Sequence, residues 1–289
     1  MFFSTKSICS LLLIFLPLVH AAAMDSARLA NVVHLQEQQL GARIGVAVLD
    51  TASSKTVSYR GDERFPLNST HKALLCGALL SKVDKGELAL TESTQFPRSA
   101  LVEYSPITEK FVAPARINWQ QLCSAAVSYS DNTAANLLAQ KLGGPAAITQ
   151  YLQTLGDSVT RLDRVEPELN SAVPGDERDT TTPLAVSRTL QKLTLGTALK
   201  PGSRAQLIQW MREDKVADAL LRSTLPAGWT IADKTGAGDF GSRSIISVVW
   251  PKNSTPRIVV IYITNTKATS KQSNAAIASL GKEIFSAIK

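Results

Sequence analysis

A serine and a lysine lie three residues apart at the start of the stretch "NSTHKALLCGALLSKV". On a helix, residues at i and i+3 share a face, so the Lys72 amine could act on the Ser69 hydroxyl. A serine is a weak nucleophile until a base takes its proton, and a helix start favours developing negative charge. The same pair also arises as a helix cap followed by a surface lysine, so its chemistry depends on other residues.

Two later motifs carry groups that could complete such a site. "SYSDN" contains Ser130, whose hydroxyl could pass a proton to a leaving nitrogen, and Asn132, whose amide could donate to a substrate carbonyl. "DKTGAG" contains Lys234 and Thr235, which could bind a carboxylate, and Gly236, which would let an extended ligand approach the backbone. Taken alone, these motifs are also typical of a turn before a helix and of a strand end.

A fourth motif, "EPELN", lies in a stretch without periodicity, residues 161–183. Its Glu166 carboxylate and Asn170 amide, four residues apart, could together hold one water; a solvated acidic loop is the simpler interpretation. Long irregular segments within compact domains are usually functional. The charges of this one predict ion pairs within the segment itself.

The elements that must position these groups follow from hydrophobic periodicity. Alternating apolar residues predict a hairpin from "GARIGVAVLD" and "TVSYR", a second from "SIISVVW" and "RIVVIYIT", and a strand in "WTIADKTG". Helical spacing is typical of the middle of the chain and of its last segment, "KQSNAAIASLGKEIFSAIK". We therefore expect a two-lobed α/β fold, with an antiparallel sheet formed by both termini and covered by helices, plus a mostly helical lobe.

The corresponding domain prediction divides the chain into two lobes with the active site between them. Residues 24–60 and 210–289 would form the α/β lobe. Residues 61–209, including the 161–183 loop, would form the helical lobe. A length of 289 residues with 44% hydrophobic residues allows a core of this size.

Composition bears on partners and location. The formal net charge is +7, but lysines and arginines are scattered among acids without interleaved aromatic residues, so we expect no nucleic-acid partner. Residues 1–23 combine Lys6, a short apolar run and small residues at 21–23, the layout of a cleaved signal peptide. We expect a monomer without a membrane anchor after processing, secreted to the periplasm of a Gram-negative bacterium. In that oxidising compartment Cys76 and Cys123 would form a disulfide, the alternative being two buried thiols.

Together, Ser-x-x-Lys, Ser-Asp-Asn, Glu-x-x-x-Asn and Lys-Thr-Gly in this order resemble the motifs of the class A serine β-lactamases. The resemblance covers nearly the whole chain after residue 23. It extends to the broad-spectrum and carbenicillin-hydrolysing penicillinases through "LVEYSPITEK", "SDNTAANLL", "TRLDR", "DERDTT", "LLRSTLPAGW" and "GSRS". It implies the fold of serine β-lactamases and penicillin-binding transpeptidases, and hydrolysis of penicillins and some early cephalosporins through an acyl-serine, conferring β-lactam resistance.

The resemblance also implies a role for each motif residue. Ser69 would be the nucleophile, with the N–H groups of Ser69 and Ala237 as the oxyanion hole. Lys72 and Glu166 would share the general-base work, and Ser130 would protonate the leaving nitrogen. Glu166 with Asn170 would activate the hydrolytic water, without metal or cofactor. The remaining implied substrate-binding residues are Tyr104, Asn132, Lys234, Thr235, Gly236 and Arg243, with Asn274 orienting Arg243.

Supporting residues follow from the same resemblance. Asn136 would support the Glu166 loop, and Arg164 with Asp179 would clamp it. The Glu166–Pro167 bond would be cis, and Cys76–Cys123 matches a disulfide found in many members.

Two positions bear on how this chain differs from its relatives. His71 lies where relatives usually carry phenylalanine; it could be a packed neutral ring, or it could titrate near neutrality and perturb Lys72. Gly238, with Arg164 and Asp239, resembles narrow-spectrum enzymes, so we expect little action on bulky oxyimino drugs.

Two other functions share part of this pattern. A cell-wall transpeptidase or carboxypeptidase, and a β-lactam sensor domain, are acylated by β-lactams but deacylate slowly. The Glu166 and Asn170 pair argues against the first, and the lack of a second apolar segment argues against the second.

Overall fold

The computed structural model describes Met1 and residues 24–288. The predicted signal peptide, residues 1–23, therefore lies outside the described residues apart from Met1. No helix in residues 24–288 is long and apolar enough to cross a membrane.

A five-stranded antiparallel sheet forms the centre of the fold. Its strands lie in the order β2-β1-β9-β8-β7. They are β1 (Arg43–Asp50), β2 (Thr56–Tyr59), β7 (Thr230–Ala237), β8 (Arg243–Trp250) and β9 (Arg257–Thr264). Because β1 pairs along its whole length with β9, the prediction that both ends of the chain build one sheet is confirmed.

Helices cover both faces of this sheet, which is why the longer strands are buried along almost their whole length. The helices are α1 (Ser26–Leu40), α2 (His71–Asp84), α3 (Trp119–Ser128), α4 (Asn132–Leu142), α5 (Pro145–Thr154), α6 (Pro183–Thr194), α7 (Pro201–Arg212) and α8 (Ser270–Ala287). α1 and α8 form one hydrophobic core with the outer face of the sheet. α2 to α7 form a second core, which includes the inner face of the sheet.

Short elements complete the chain. Two-residue strands pair as β3 (Phe65–Pro66) with β6 (Thr180–Thr181), and as β4 (Ser93–Thr94) with β5 (Ile117–Asn118). Single 3₁₀ turns span Asn68–Thr70, Arg98–Ala100, Thr108–Phe111, Glu168–Ser171 and Leu221–Thr224.

Helix α1 was not predicted from the sequence. Its buried face contains Leu29, Val33 and Glu37, so one of its three inward positions is charged. Arg60 compensates that charge, with its Nε 2.8 Å from Glu37 Oε1. A helix whose apolar stripe is interrupted by an acid gives a weak periodic signal.

Helix α2 is the centre of the helical layer. It is buried from His71 to Ser81 and contacts α3, α4, α5 and α7. The predicted disulfide between Cys76 on α2 and Cys123 on α3 is present. The nucleophile candidate thus stands at the start of the most buried helix of the described chain.

The 161–183 segment folds back toward the Ser69 turn. Four ion pairs lie within it: Arg161 with Asp163 at 2.6 Å, Arg164 with Asp179 at 2.6 Å, Arg178 with Asp176 at 2.8 Å, and Arg164 with Asp176 at 3.8 Å. Its end pairs through β6 with β3, and the Leu67 N–H donates to the Asp179 carbonyl at 2.9 Å. Pairing with β3 therefore brings the loop that carries Glu166 against the segment that carries Ser69.

The lobe boundary predicted at residue 210 falls inside α7 (Pro201–Arg212). This helix contacts α2 and α3, but also β7. The division into two lobes therefore stays a proposal.

Candidate active site

Ser69 lies in the 3₁₀ turn Asn68–Thr70, which runs directly into α2. Asn68 before it has φ +44°, in the left-handed region that asparagine tolerates better than most residues. The turn leaves the Ser69 hydroxyl 2.9 Å from Lys72 Nζ. The i, i+3 spacing read from the sequence therefore places the two side chains in direct contact.

Lys72 is fully buried and surrounded by oxygen atoms. Its Nζ donates to Ser69 Oγ, to the Ser130 carbonyl at 2.7 Å and to Asn132 Oδ1 at 2.6 Å, which uses the three hydrogens of an ammonium. Glu166 Oε1 is a fourth neighbour at 3.0 Å and interacts through charge. Burial lowers the pKa of Lys72, and the Glu166 carboxylate opposes that shift.

Glu166 is buried, and its backbone and side chain are both held. Asn136 accepts from the Glu166 N–H at 2.9 Å and donates to the Glu166 carbonyl at 2.8 Å. Asn170 Nδ2 donates to Glu166 Oε2. Burial alone would raise the pKa of Glu166, but the Lys72 charge and these donors bring it below its ordinary value. A carboxylate with a lowered pKa, 3.0 Å from Lys72 Nζ, can accept a proton from a water or from Lys72. The Glu166–Pro167 bond is cis, as expected.

Ser130 and Lys234 form the opposite wall. Lys234 Nζ donates to Ser130 Oγ at 3.2 Å and to the Thr235 carbonyl at 2.9 Å. Burial lowers the pKa of Lys234 to about 8, although the nearby Asp214 carboxylate opposes the shift. Ser130 thus lies between two buried lysines, because its carbonyl accepts from Lys72. This arrangement suits proton transfer through the Ser130 hydroxyl.

Asn132 is the first residue of α4, and both the oxygen and the nitrogen of its side-chain amide form hydrogen bonds. Oδ1 accepts from Lys72, and Nδ2 donates to the Glu103 carbonyl at 2.9 Å. One N–H of the amide remains for a ligand, since an amide nitrogen carries two hydrogens. The Asn132 N–H donates to the carbonyl of Tyr104, whose side chain is exposed at the rim of the site.

The end of β7 and the start of β8 supply the remaining predicted residues. Arg243 lies opposite Ala237 in the register. Its Nε donates to Asn274 Oδ1 at 2.8 Å and its Nη1 to the Gly236 carbonyl at 3.0 Å. β7 is an edge strand, so residues 234–237 lie along the side of the sheet nearest Ser69 and Ser130. Together with Lys234, this guanidinium makes the region suited to an anionic group.

Comparison with known proteins identifies the family to which this chain is similar. A family model described as "Beta-lactamase enzyme family" matches residues 26–288. The chain is 53% identical over 259 residues to the beta-lactamase AER-1 of Aeromonas hydrophila, covering 90% of this chain and 85% of that one.

Two solved structures extend the comparison. An ancestral (GNCA) class A β-lactamase is 49% identical with a TM-score of 0.87, covering 89% of this chain and 98% of that one. The chromosome-encoded β-lactamase of Vibrio parahaemolyticus is 44% identical with a TM-score of 0.86, covering 89% and 97%. The chain belongs to the class A β-lactamase family.

Within this class A β-lactamase, the fold gathers the predicted residues at one end of β7. The ion pair of Arg164 and Asp179 and the Asn136 contacts hold the loop that carries Glu166. Among the described residues, no cluster of three or more His, Cys, Asp or Glu side chains is placed to hold a metal ion.

The surroundings of His71 favour one of its two interpretations. The ring is buried, and burial lowers the pKa of His71 despite the nearby Glu166 carboxylate. Its Nδ1 lies 2.8 Å from the Asn68 carbonyl, so this nitrogen carries a proton and donates it. Burial and this contact support a packed ring, and the titration of His71 stays a prediction to be tested.

Gly236 and Gly238 lie where side chains would collide with neighbouring residues. A Cβ at Gly236 would lie 2.5 Å from Ser244 Oγ, and a Cβ at Gly238 would lie 2.2 Å from Asn68 Nδ2. The missing side chains let the end of β7 approach the Ser69 turn. Contact of the Gly236 backbone with substrate stays a prediction.

Asp214 is a buried acid of this β-lactamase that the sequence analysis did not identify. Its Oδ2 accepts from the Thr235 N–H at 3.3 Å, and its charge raises the pKa of Lys234 against burial. It follows α7 in a short irregular stretch, where no local motif distinguishes it from a surface acid.

Proposed function

We propose that this β-lactamase hydrolyses the β-lactam ring of penicillins, and of some early cephalosporins, through an acyl-serine intermediate. One observation carries the proposal. Lys72 Nζ lies 2.9 Å from Ser69 Oγ and 3.0 Å from Glu166 Oε1, with both charged side chains fully buried. Ser69 with a buried lysine beside it accounts for acylation, whereas a carboxylate 3.0 Å from that lysine provides a base for removing the acyl group.

In acylation, Lys72 gives a proton to Glu166, and its neutral amine takes the Ser69 proton as Ser69 Oγ attacks the lactam carbonyl carbon. The negative oxygen that develops is stabilised by the N–H groups of Ser69 and Ala237. Such donors are typically worth about 3 kcal/mol each in the transition state. The carbon–nitrogen bond then breaks, and Ser130 gives its proton to the leaving nitrogen. Ser130 recovers a proton from one of the two lysines beside it, Lys72 or Lys234.

In deacylation, a water attacks the ester carbonyl while Glu166 takes its proton. The bond to Ser69 Oγ breaks, and Ser69 regains its proton from the Lys72 side. Asn170 orients the Glu166 carboxylate and the water. This step is the one that a transpeptidase or a β-lactam sensor performs slowly, and it is supported by the contact of Asn170 with Glu166.

The substrate would be held by groups of opposite charge and by amide contacts. Lys234, Thr235 and Arg243 would bind its carboxylate, with Asn274 orienting Arg243. The free N–H of Asn132 would bind the side-chain amide of the drug, Gly236 would contact it through the backbone, and Tyr104 would line the mouth.

The proposal includes a narrow spectrum, because Gly238, Arg164 and Asp239 resemble the residues of narrow-spectrum enzymes. A Cβ at Gly238 would lie 2.2 Å from Asn68 Nδ2 and 2.5 Å from the Asn170 carbonyl, so a larger residue at this position would disturb the Ser69 turn and the Glu166 loop. We expect a higher kcat/KM for ampicillin than for cefotaxime, measured on one preparation with the same assay. The opposite order would contradict the narrow-spectrum assignment without affecting the proposed reaction.

The proposal extends to location and assembly. The predicted signal peptide, the Cys76–Cys123 disulfide and the relative from Aeromonas support a periplasmic enzyme of a Gram-negative bacterium, acting as a monomer and conferring β-lactam resistance. The two-lobed arrangement, with the site between the lobes, belongs to the same proposal.

Stopped-flow hydrolysis of ampicillin, with mass spectrometry of the reaction mixture, tests the reaction. The native enzyme should turn over rapidly without a stable adduct, while Glu166→Ala should accumulate an acyl group on Ser69. A stable adduct on the native protein would instead indicate a penicillin-binding or sensing protein.

A further inference from the structure

Asn68, the residue before the nucleophile, makes more contacts than its backbone position requires. It is completely buried, and its φ of +44° sets the turn that presents Ser69. Asparagine tolerates this conformation, which by itself could explain the residue type. The side chain, however, is directed at the deacylation machinery.

Two amides connect Asn68 to the Glu166 carboxylate. Asn68 Nδ2 donates to Asn170 Oδ1 at 3.3 Å, and Asn170 Nδ2 donates to Glu166 Oε2. An ionised carboxylate only accepts hydrogen bonds. Asn170 must therefore turn its NH₂ toward Glu166 and its oxygen toward Asn68, which in turn must present its own NH₂.

A reversed amide at either position would bring two oxygen atoms together. Reversing Asn68 would oppose its Oδ1 to Asn170 Oδ1, and reversing Asn170 would oppose its Oδ1 to the Glu166 carboxylate. The charge on Glu166 thus sets the orientation of Asn170, and Asn68 stabilises that orientation from the other side.

Maintaining this contact has a cost elsewhere. Asn68 Oδ1 is buried, and no group in residues 24–288 hydrogen-bonds it. Gly238 supplies the space, because a Cβ there would lie 2.2 Å from Asn68 Nδ2. An unsatisfied buried oxygen is unfavourable, and such a group in a native structure calls for a compensating role.

We propose that Asn68 is a positioning residue for deacylation, which holds the Asn170 amide in the one orientation that supports Glu166 and the hydrolytic water. The inference rests on the proposed function, because it concerns the second step of that reaction. Acylation uses Glu166 only through Lys72, whereas in deacylation Glu166 and Asn170 act on the water directly. Loss of the Asn68 amide should therefore slow deacylation and leave acylation almost unchanged.

The test is Asn68→Gly, since glycine suits the positive φ and removes only the side chain. With ampicillin, we expect kcat and KM to fall together by about fivefold, the size of effect expected for one hydrogen bond, with kcat/KM unchanged. The acyl-enzyme should become visible in the steady state by mass spectrometry. A fall in kcat/KM without acyl-enzyme accumulation would overturn the proposal, because it would indicate a role in presenting Ser69.

A double-mutant cycle distinguishes positioning through Asn170 from a general effect. In an Asn170→Ala background, Asn68→Gly should have no further effect on the deacylation rate. An equal effect in both backgrounds would overturn the proposal. Asn68→Asp, which keeps the shape but loses the donor when ionised, provides the same comparison if the glycine variant does not fold.

A matched control is Asn253→Gly, which makes the same exchange at another positive φ, +60°, in an exposed turn. Its kcat and KM should equal those of the native enzyme. A native protein that fails to turn over ampicillin would reject the proposed function itself, whereas normal native turnover with unchanged Asn68→Gly kinetics would reject only the role of Asn68.

Discussion

At the scale of single residues, burial of charge is the dominant feature of this site. Lys72, Glu166 and Lys234 are almost completely buried, where a charge is unfavourable unless it is paired. Lys72 and Glu166 compensate each other at 3.0 Å. The charge of Lys234 is compensated less directly, because the hydrogen-bond partners of its Nζ are the neutral Ser130 hydroxyl and the Thr235 carbonyl.

A pH dependence follows for Lys234. Its pKa is lowered by burial to about 8, so its ammonium is present below that pH and is lost above it. We expect kcat/KM for ampicillin, which reports the free enzyme, to fall as the pH rises through about 8. Lys234→Arg keeps a positive charge and should shift that fall to higher pH. A native profile that stays flat over this range would contradict the assignment.

His71 should not contribute to the profile. Because burial lowers the pKa of His71, we expect that replacing it with phenylalanine removes a hydrogen bond to the Asn68 carbonyl but no group that titrates near neutrality. The kcat/KM profile of His71→Phe between pH 5 and pH 8 should have the apparent pKa values of the native enzyme, as measured by initial rates. A displaced acid limb in this variant would show that His71 titrates after all.

At the scale of elements, the 161–183 segment holds Glu166 in place through one buried acid. Asp179 accepts from the N–H groups of Asp163 and Arg164, and from Arg164 Nε at 2.6 Å. The Asp179 carbonyl accepts from the Leu67 N–H. One residue thus connects the turn that carries Ser69 with both sides of the loop.

Two variants compare a buried with an exposed ion pair of the same loop. Asp179→Ala removes the acceptor of Arg164 Nε and of two N–H groups, and we expect it to lower the free energy of unfolding by about 3 kcal/mol. Arg178→Ala breaks the exposed pair with Asp176 and should lower the free energy of unfolding much less, because surface ion pairs contribute little to stability. Urea unfolding followed by circular dichroism measures both, and equal losses would show that the loop does not depend on Asp179.

At the scale of the whole molecule, the sheet depends on contacts between the two ends of the chain. β1 pairs with β9, and α1 packs with α8 on the outer face. The active site lies on the other side of the sheet, with α2. The outer layer should therefore affect stability rather than the reaction.

Ile284 tests this separation. It is fully buried in α8 against the outer core, so Ile284→Ala should lower the free energy of unfolding by about 2–4 kcal/mol. Lys282→Ala, on the exposed side of the same helix, should stay within about 0.5 kcal/mol of the native protein. At a temperature where both variants are folded, ampicillin kcat/KM should match the native value. Reduced activity of the folded Ile284→Ala protein would show coupling between the two layers.

Much of the fold could be predicted, because it depends on local periodicity. The strands "RIGVAVLD" and "RIVVIYIT" alternate clearly, and α2 shows helical spacing up to its end. α1 could not be predicted, because its inward Glu37 is compensated by Arg60, a partner that lies beyond β1 in the sequence.

The sequence by itself determined which groups could react: a serine with a lysine three residues on, a Ser-Asp-Asn motif, an acid with an amide, and a Lys-Thr-Gly strand end. Only the tertiary structure decided how they interact. Three features join residues that are far apart in the chain. They are the contacts of Lys72 with Ser130, Asn132 and Glu166, the effect of the Asp214 charge on Lys234, and the contact of Asn68 with Asn170. Local spacing does not report such contacts, because they arise only when the 161–183 loop and the edge of the sheet close on the Ser69 turn.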